Sequence, residues 1–298
     1  SAPTPPSRPR RWVQPYRKDE TMEKEEKKTN ITFYIRRFDP AKDEEPREQQ
    51  YNLQVEPGMT VLDGLHRIKE TQDPTLAFRF SCRMGVCGSC GMLINGKPTL
   101  ACNTQILDIT QGVLTVAPLP NFSIIRDLVP DLVPMFEVHQ RIQPYIKRSD
   151  RKEMEEPSGE FFQSQHQLEK FLQFTYCIKC GACMAGCPTM ATDRQYLGPM
   201  PITQIYRYCI DSRDDGGKER KDIVAASHGA YNCHYAGECS NVCPKGVDPA
   251  RAIQLMKKEL VREYFNLSGK EPCAKVWHLP ENAERKPKIQ APPHTVGK

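Results

Sequence analysis

The residues best equipped for chemistry are cysteines. Cys177, Cys180, Cys183 and Cys187 follow the spacing Cys-x2-Cys-x2-Cys-x3-Cys, with Pro188 behind the last. This run ligates cuboidal iron–sulfur clusters, its fourth cysteine serving the other cluster of a pair. Three thiolates two residues apart can close on one cluster within a tight loop. The fourth lies a helical turn further on, and the proline after it breaks that turn so that its sulfur faces elsewhere. A second run must complete the set, and it is Cys233, Cys239 and Cys243, followed by Pro244. Cys233 to Cys239 spans the same length as Cys177 to Cys183, so the middle position of the second run is Ala236, which has no sulfur. The crossed scheme assigns Cys177, Cys180, Cys183 and Cys243 to a 4Fe–4S cube and leaves Cys187, Cys233 and Cys239 for a second cluster. A cube with one unliganded corner commonly loses that iron, so the second cluster is expected to be 3Fe–4S.

A third set lies upstream. Cys82, Cys87, Cys90 and Cys102 have the spacing Cys-x4-Cys-x2-Cys-x11-Cys, which fits a plant-type 2Fe–2S centre. Gly85, Gly88 and Gly91 let the backbone approach and aim N–H groups at sulfur, and Arg83 is placed beside an anionic cluster. Both features should raise its potential. A structural zinc ion is the alternative, but its four thiolates usually come as two short-spaced pairs. Here three crowd one glycine-rich loop and the fourth stands alone.

These ligands need elements to hold them. Ile31, Phe33 and Ile35 alternate with Thr32, Tyr34 and Arg36 as in a half-buried strand, and Tyr51, Leu53 and Val55 repeat the pattern. Pro57-Gly58 turns the chain, and Thr60 can cap a helix whose Val61, Leu62, Leu65 and Ile68 share a face. Asn95-Gly96 is a hairpin signal that returns the chain to place Cys102, and Leu114–Val116 reads as a closing strand. Strand, strand, helix is the opening of a β-grasp ferredoxin. Pro118, Pro120, Pro130 and Pro134 mark a linker. Downstream the pattern is helical: Phe136 to Ile146; Leu168, Phe171, Leu172 and Phe174; Asp222 to Ala226; and Pro249 to Phe265. The buried face of the last is Ala252, Ile253, Met256, Leu260 and Val261. Ile202, Ile205, Tyr206, Cys209 and Ile210 share another helical face, with Thr203 and Gln204 on the other side. Lys147 to Glu160 is charged, turn-rich and expected to be exposed.

The fold class is therefore α+β. An arm spans residues 1–29, a β-grasp plant-type 2Fe–2S ferredoxin domain 30–128, an α-helical bacterial-ferredoxin-like domain with two cuboidal clusters 129–265, and an extended tail 266–298. The arm is basic and acid-free through Arg17-Lys18, faintly like a transit peptide, but acidic from Asp19 onward, which favours a flexible or partner-docked arm. Of the 13 cysteines, Cys209 sits on an apolar helical face as a small core residue, and Cys273 reads as a free thiol. Trp277 reads as a docking side chain. Ligand-like spacing favours metal over disulfides and hence a reducing compartment. Net charge is +5, with basic residues interleaved among acidic ones, which argues against a nucleic-acid surface. Mean hydropathy is −0.62, and no apolar run approaches the ~18 residues a membrane helix needs.

One 2Fe–2S loop followed by 4Fe–4S and 3Fe–4S runs resembles the iron–sulfur subunit of succinate dehydrogenase and quinol:fumarate reductase. The likeness covers roughly residues 30–265 and includes Ser81 to Gly91, Cys177 to Pro188, Gly198-Pro199, Asp211-Ser212-Arg213-Asp214 and Cys233 to Ile253. It implies a wire carrying electrons between the FAD of a partner flavoprotein and a membrane quinone, with no catalytic acid, base or nucleophile on this chain. It also implies membrane-anchor subunits that hold the chain at the cytoplasmic face of a prokaryotic membrane, or alternatively at the matrix face of the mitochondrial inner membrane. Pro188 and His234 match positions bordering the quinone. The stretch Pro188–Asp193 lacks the tryptophan usual in ubiquinone-using relatives, which favours menaquinone. An iron–sulfur subunit of another flavin-dependent complex, or a free soluble ferredoxin, are the rival electron-transfer readings.

Overall fold

The computed structural model describes residues 28–267 and 274–278. Strand β1 (Thr29–Arg37) buries Ile31, Phe33 and Ile35 on one face, and β2 (Arg47–Val55) answers with Tyr51, Leu53 and Val55. The two pair antiparallel, with Phe33 opposite Tyr51 and Ile31 opposite Leu53. Helix α1 (Val61–Thr71) lays Val61, Leu62, Leu65 and Ile68 on this face, each contributing about 1.5–3 kcal/mol by burial. Thr60 begins it with a capping box: its hydroxyl accepts from Asp63 N–H at 3.2 Å, and the Asp63 carboxylate accepts from Thr60 N–H at 3.0 Å.

Strands β3 (Gly91–Ile94) and β4 (Lys97–Leu100) form the hairpin expected at Asn95-Gly96, whose φ values of 46° and 76° suit the tight primed turn. After the short α2 (Ile106–Ile109), β5 (Val113–Ala117) enters between β1 and β3 rather than at an edge. The sheet order is β2-β1-β5-β3-β4, parallel only at β1/β5. The proline-marked stretch expected to be a linker instead folds back as a hairpin of β6 (Ile124–Arg126) and β7 (Val129–Pro130). Asp127 explains why. Its buried carboxylate accepts from Arg37 Nε at 2.9 Å, Phe38 N–H at 3.0 Å and Ala77 N–H at 2.8 Å, tying the stretch to the sheet domain.

Helix α3 (Val133–Arg141) starts earlier and stops sooner than expected. Pro134 serves at its N-terminus, where a missing N–H costs nothing, and Pro144 disfavours continuing the helix through Gln143, which takes a left-handed φ of 53°. The exposed charged stretch contains one helical turn, α4 (Arg151–Glu155), capped by Asp150. Strand β8 (Glu160–Phe161) pairs with β9 (Val276–Trp277), so this part of the tail is docked, with Trp277 43% exposed. Two short helices, α5 (Gln165–Glu169) and α6 (Leu172–Thr175), replace one longer element and bury Phe171 and Phe174. Cys273 and most of the two terminal extensions lie outside the described residues.

The helical half is built around α9 (Pro199–Ile210), against which α6, α7 (Ala182–Ala185), α10 (Gly217–Ala225) and α12 (Pro249–Tyr264) pack. Thr203 and Gln204, expected on a polar side, are buried, because neighbours surround α9. Both are satisfied: Thr203 Oγ1 donates to Pro199 O at 2.7 Å and Gln204 Nε2 to Phe174 O at 3.2 Å. On α12, Ala252, Ile253, Met256 and Leu260 are buried as expected, but Val261 is 46% exposed. One step beyond Leu260 rotates it about 100° out of the stripe. Helix α10 begins five residues before the expected Asp222, at Gly217, and buries Arg220 completely. That guanidinium pairs with Asp214 at 2.6 Å and donates to the carbonyls of Ile142, Gln143 and Tyr145. Cys209 packs on this core, where burial pushes its thiol up to about 12. The remaining short helices are α8 (Pro188–Thr192) and α11 (Glu238–Asn241).

Candidate iron–sulfur centres

Residues 79–90 carry no helix or strand, which frees their backbone to face inward. Gly85 N–H donates to Cys102 Sγ at 3.2 Å, Val86 and Cys87 N–H to Cys82 Sγ at 3.3 Å each, and Cys102 N–H to Cys90 Sγ at 3.5 Å. The β3–β4 hairpin and a single turn over Ala101–Asn103 deliver Cys102 to the same place as the loop cysteines. Hydrogen bonds from the Ser89 side chain, with backbone N–H groups, hold the exposed Cys87 thiol down near 6, whereas burial pushes Cys90 up to about 12. Arg83 stacks its guanidinium over Phe80 at 5.3 Å.

Cys177, Cys180, Cys183 and Cys243 line one cavity, together with Lys179, Lys245 and Thr203. Cys187, Cys233 and Cys239 line a second, with Pro188, His234, Ala236 and Tyr196. The two cavities divide these seven cysteines into the same two groups as the crossed scheme. Burial raises Cys183 far above an ordinary thiol and carries Cys180 to about 11 and Cys239 to about 12. Such sulfurs stay protonated unless a metal takes the place of the proton, which is the chemistry of a buried thiolate ligand. Among the described residues no three His, Cys, Asp or Glu side chains form a group suited to a single metal ion.

The three sets are packed in series. Gly88, at φ 77°, lies so close to the four-cysteine loop that a Cβ there would be 2.8 Å from Cys180 Cβ. Ile178 and Cys180 pack on the core of the sheet domain. Asn121 spans the junction, its Nδ2 within 3.0–3.1 Å of the carbonyls of Met184, Ala185 and Cys187. Helices α7 and α11 then bring the two cuboidal loops against each other. Pro188, His234 and Ala236 are exposed at the mouth of the second cavity.

The motif Asp211–Asp214 is structural. Asp211 holds Arg213 at 2.7 Å and accepts from Gln163 at 3.1 Å, while Asp214 is the partner of Arg220. Sequence reasoning missed Tyr196, Thr203 and Lys245 as cavity walls, since no spacing relates them to the cysteines.

Residues 32–137 match the family model of the 2Fe–2S iron–sulfur cluster binding domain, and residues 173–247 that of the 4Fe–4S dicluster domain. The fumarate reductase iron–sulfur subunit of Mycobacterium tuberculosis is 44% identical over 227 residues, 76% of this chain and 91% of the relative. The mitochondrial succinate dehydrogenase [ubiquinone] iron–sulfur subunit of Candida glabrata is 41% identical over 77% of this chain and 90% of its own length. A chain of the Mycobacterium smegmatis Sdh1 complex superposes with a TM-score of 0.72 at 27% identity, covering 80% of this chain and 98% of that one. With its ligand loops, its cavities and these relatives in agreement, the chain belongs to the family of fumarate reductase and succinate dehydrogenase iron–sulfur subunits.

Proposed function

We propose that the chain carries electrons between the FAD of a partner flavoprotein and a membrane quinone, through a 2Fe–2S cluster on Cys82, Cys87, Cys90 and Cys102, a 4Fe–4S cluster on Cys177, Cys180, Cys183 and Cys243, and a 3Fe–4S cluster on Cys187, Cys233 and Cys239. The observation that supports this most is the serial packing of the three cysteine sets, from the Gly88 loop against Cys180 to the neighbouring cuboidal loops. The clusters supply one-electron chemistry; the protein holds them close, excludes water and sets their potentials. Succinate or fumarate is handled on the flavoprotein. The proposed division keeps a sheet domain at 30–128 and a helical domain at 129–265, with the β6–β7 hairpin carrying the first across to Pro130.

The two ends differ in what they offer. Around the first loop Phe80, Met84 and Val86 are exposed, Met84 by 72%, an apolar collar suited to a flavoprotein. At the other end Pro188, His234 and Ala236 open the second cavity outward, where the quinone and anchor subunits would meet the chain. No helix among the described residues is long and apolar enough to cross a membrane, so attachment falls to those anchors, at the cytoplasmic face of a prokaryotic membrane. The absence of tryptophan from Pro188–Asp193 favours menaquinone. Purifying the complex from native membranes tests the whole reading. It should yield the flavoprotein, the anchors and menaquinone. Electron paramagnetic resonance should show a 3Fe–4S signal when oxidised and a 2Fe–2S signal when reduced. A fully loaded sample lacking the first signal would overturn the cluster assignment, and better turnover with ubiquinone would overturn the quinone.

A further inference from the structure

Tyr196 is only 3% exposed, and its phenol faces the cavity lined by Cys187, Cys233 and Cys239. Its hydroxyl makes no well-formed hydrogen bond to the protein, although the Cys233 thiol is close enough to bear on it. A buried hydroxyl left unpaired is costly and therefore rare. The ring is held by the chain around it: Tyr196 N–H reaches Asp193 O at 3.3 Å, and the next residue, Leu197, donates to His228 O at 2.9 Å. At this burial the phenol does not reach bulk water, so whatever satisfies it must sit in the cavity. A tyrosine hydroxyl ionises only at about pH 10, so at neutral pH the group is a neutral O–H donor. The four-cysteine cavity is different: its walls include Thr203, whose hydroxyl is already donated to Pro199 O at 2.7 Å, and no tyrosine.

We infer that the Tyr196 hydroxyl donates a hydrogen bond to a sulfur of the three-cysteine cluster, on the Cys233 side, and thereby raises the reduction potential of that cluster alone. The inference rests on the reading of Cys187, Cys233 and Cys239 as cluster ligands. Hydrogen bonds to sulfur stabilise the more negative, reduced form and are among the factors that set cluster potentials. Tyr196 is thus a tuning residue that makes the last cluster a better electron acceptor; it moves no proton itself.

The test is a redox titration of the intact complex followed by paramagnetic resonance, with Tyr196→Phe beside the parent. Phenylalanine keeps the ring and removes only the donor. The expected result is a three-iron signal at full occupancy whose equilibrium with the four-iron cluster has shifted about tenfold against reduction, which is about 59 mV for one electron. The potentials of the other two clusters should not move. An unchanged potential at full occupancy overturns the inference. Should Tyr196→Phe lose the cluster, 3-fluorotyrosine at position 196 decides, since it keeps the shape and strengthens the donor. A shift to higher potential supports the bond, and no shift removes it. A parent complex without a three-iron signal would instead sink the ligand assignment, and the inference with it.

Discussion

Aligned from Cys177 on Cys233, the two cuboidal runs repeat one another's backbone. Lys179 and Tyr235 both take left-handed φ values, 55° and 57°, and Gly181 and Gly237 follow at 82° and 80°. Each glycine then opens a four-residue helix, Ala182–Ala185 or Glu238–Asn241. The side chains differ where it matters. Cys180 packs against the sheet domain, whereas its counterpart Ala236 is exposed at a cavity mouth. Lys179 lines the first cavity and Tyr235 the second. A Cβ on Gly181 would touch Leu119 and Phe122 at 3.4 Å, while one on Gly237 would meet nothing. The loop geometry therefore comes from two left-handed residues and a helical turn, independent of how many thiols it carries. On the proposed assignment cluster type turns on one side chain, and the position without sulfur is the one that faces outward.

Exchanging that side chain in either direction should have the largest effects. Cys180→Ala removes a half-buried proposed ligand packed against the Gly88 loop, and we expect the four-iron cluster to be lost or reduced to three irons, with electron flow to quinone broken. Iron content and resonance spectra measure this; an unaltered four-iron cluster would mean that Cys180 is not a ligand. Ala236→Cys should do the reverse, letting the second cluster keep a fourth iron. The added thiolate makes the cluster more negative, so its potential should fall and turnover with quinone slow, while the other two clusters stay intact. A persisting three-iron signal at full occupancy would show that Ala236 does not face the open corner.

A smaller effect tests the asymmetry of surroundings. In Gly88→Ala the new methyl would sit 2.8 Å from Cys180 Cβ, on a backbone at φ 77°. Left-handed strain costs about 1–2 kcal/mol before the clash is counted. We expect a lower melting temperature and altered 2Fe–2S and 4Fe–4S signals, with the 3Fe–4S signal unmoved. Equal disturbance of all three would mean that the first two loops are not specially coupled. The smallest difference compares Gly181→Ala with Gly237→Ala. Both suffer the same strain of about 1–2 kcal/mol, and the Gly181 contacts are ordinary, so their losses of stability should agree within about 0.5 kcal/mol. A wide gap in denaturant unfolding would break the backbone equivalence.

Much of this was legible in the chain because its signals are local. Cluster ligands in one loop must be spaced as the loop allows, so the runs at Cys82, Cys177 and Cys233 declare themselves, and the empty position at Ala236 follows by alignment alone. Strand alternation at Ile31–Ile35, the Thr60 cap and the Asn95-Gly96 turn are likewise short-range, and the structure has all three. Prolines were ambiguous. Pro134 was read as linker but starts a helix, since the same missing N–H suits a loop and a first turn.

What tertiary structure alone decided is whatever depends on residues far apart in sequence. Asp127 meets Arg37 across 90 positions and turns an expected linker into part of the sheet domain. Arg220, one charge among many in its helix, is wholly buried because Asp214 and three carbonyls converge on it. Thr203 and Gln204 lie inside because helices close around α9 from several sides, which no single-helix periodicity can report. Tyr196 has no motif and no regular spacing to a cysteine, yet it ends buried in the wall of the cavity lined by Cys187, Cys233 and Cys239. Candidate ligands follow from local spacing and can be picked out in the chain; the polar surroundings of those thiols are assembled from distant segments and exist only once they pack.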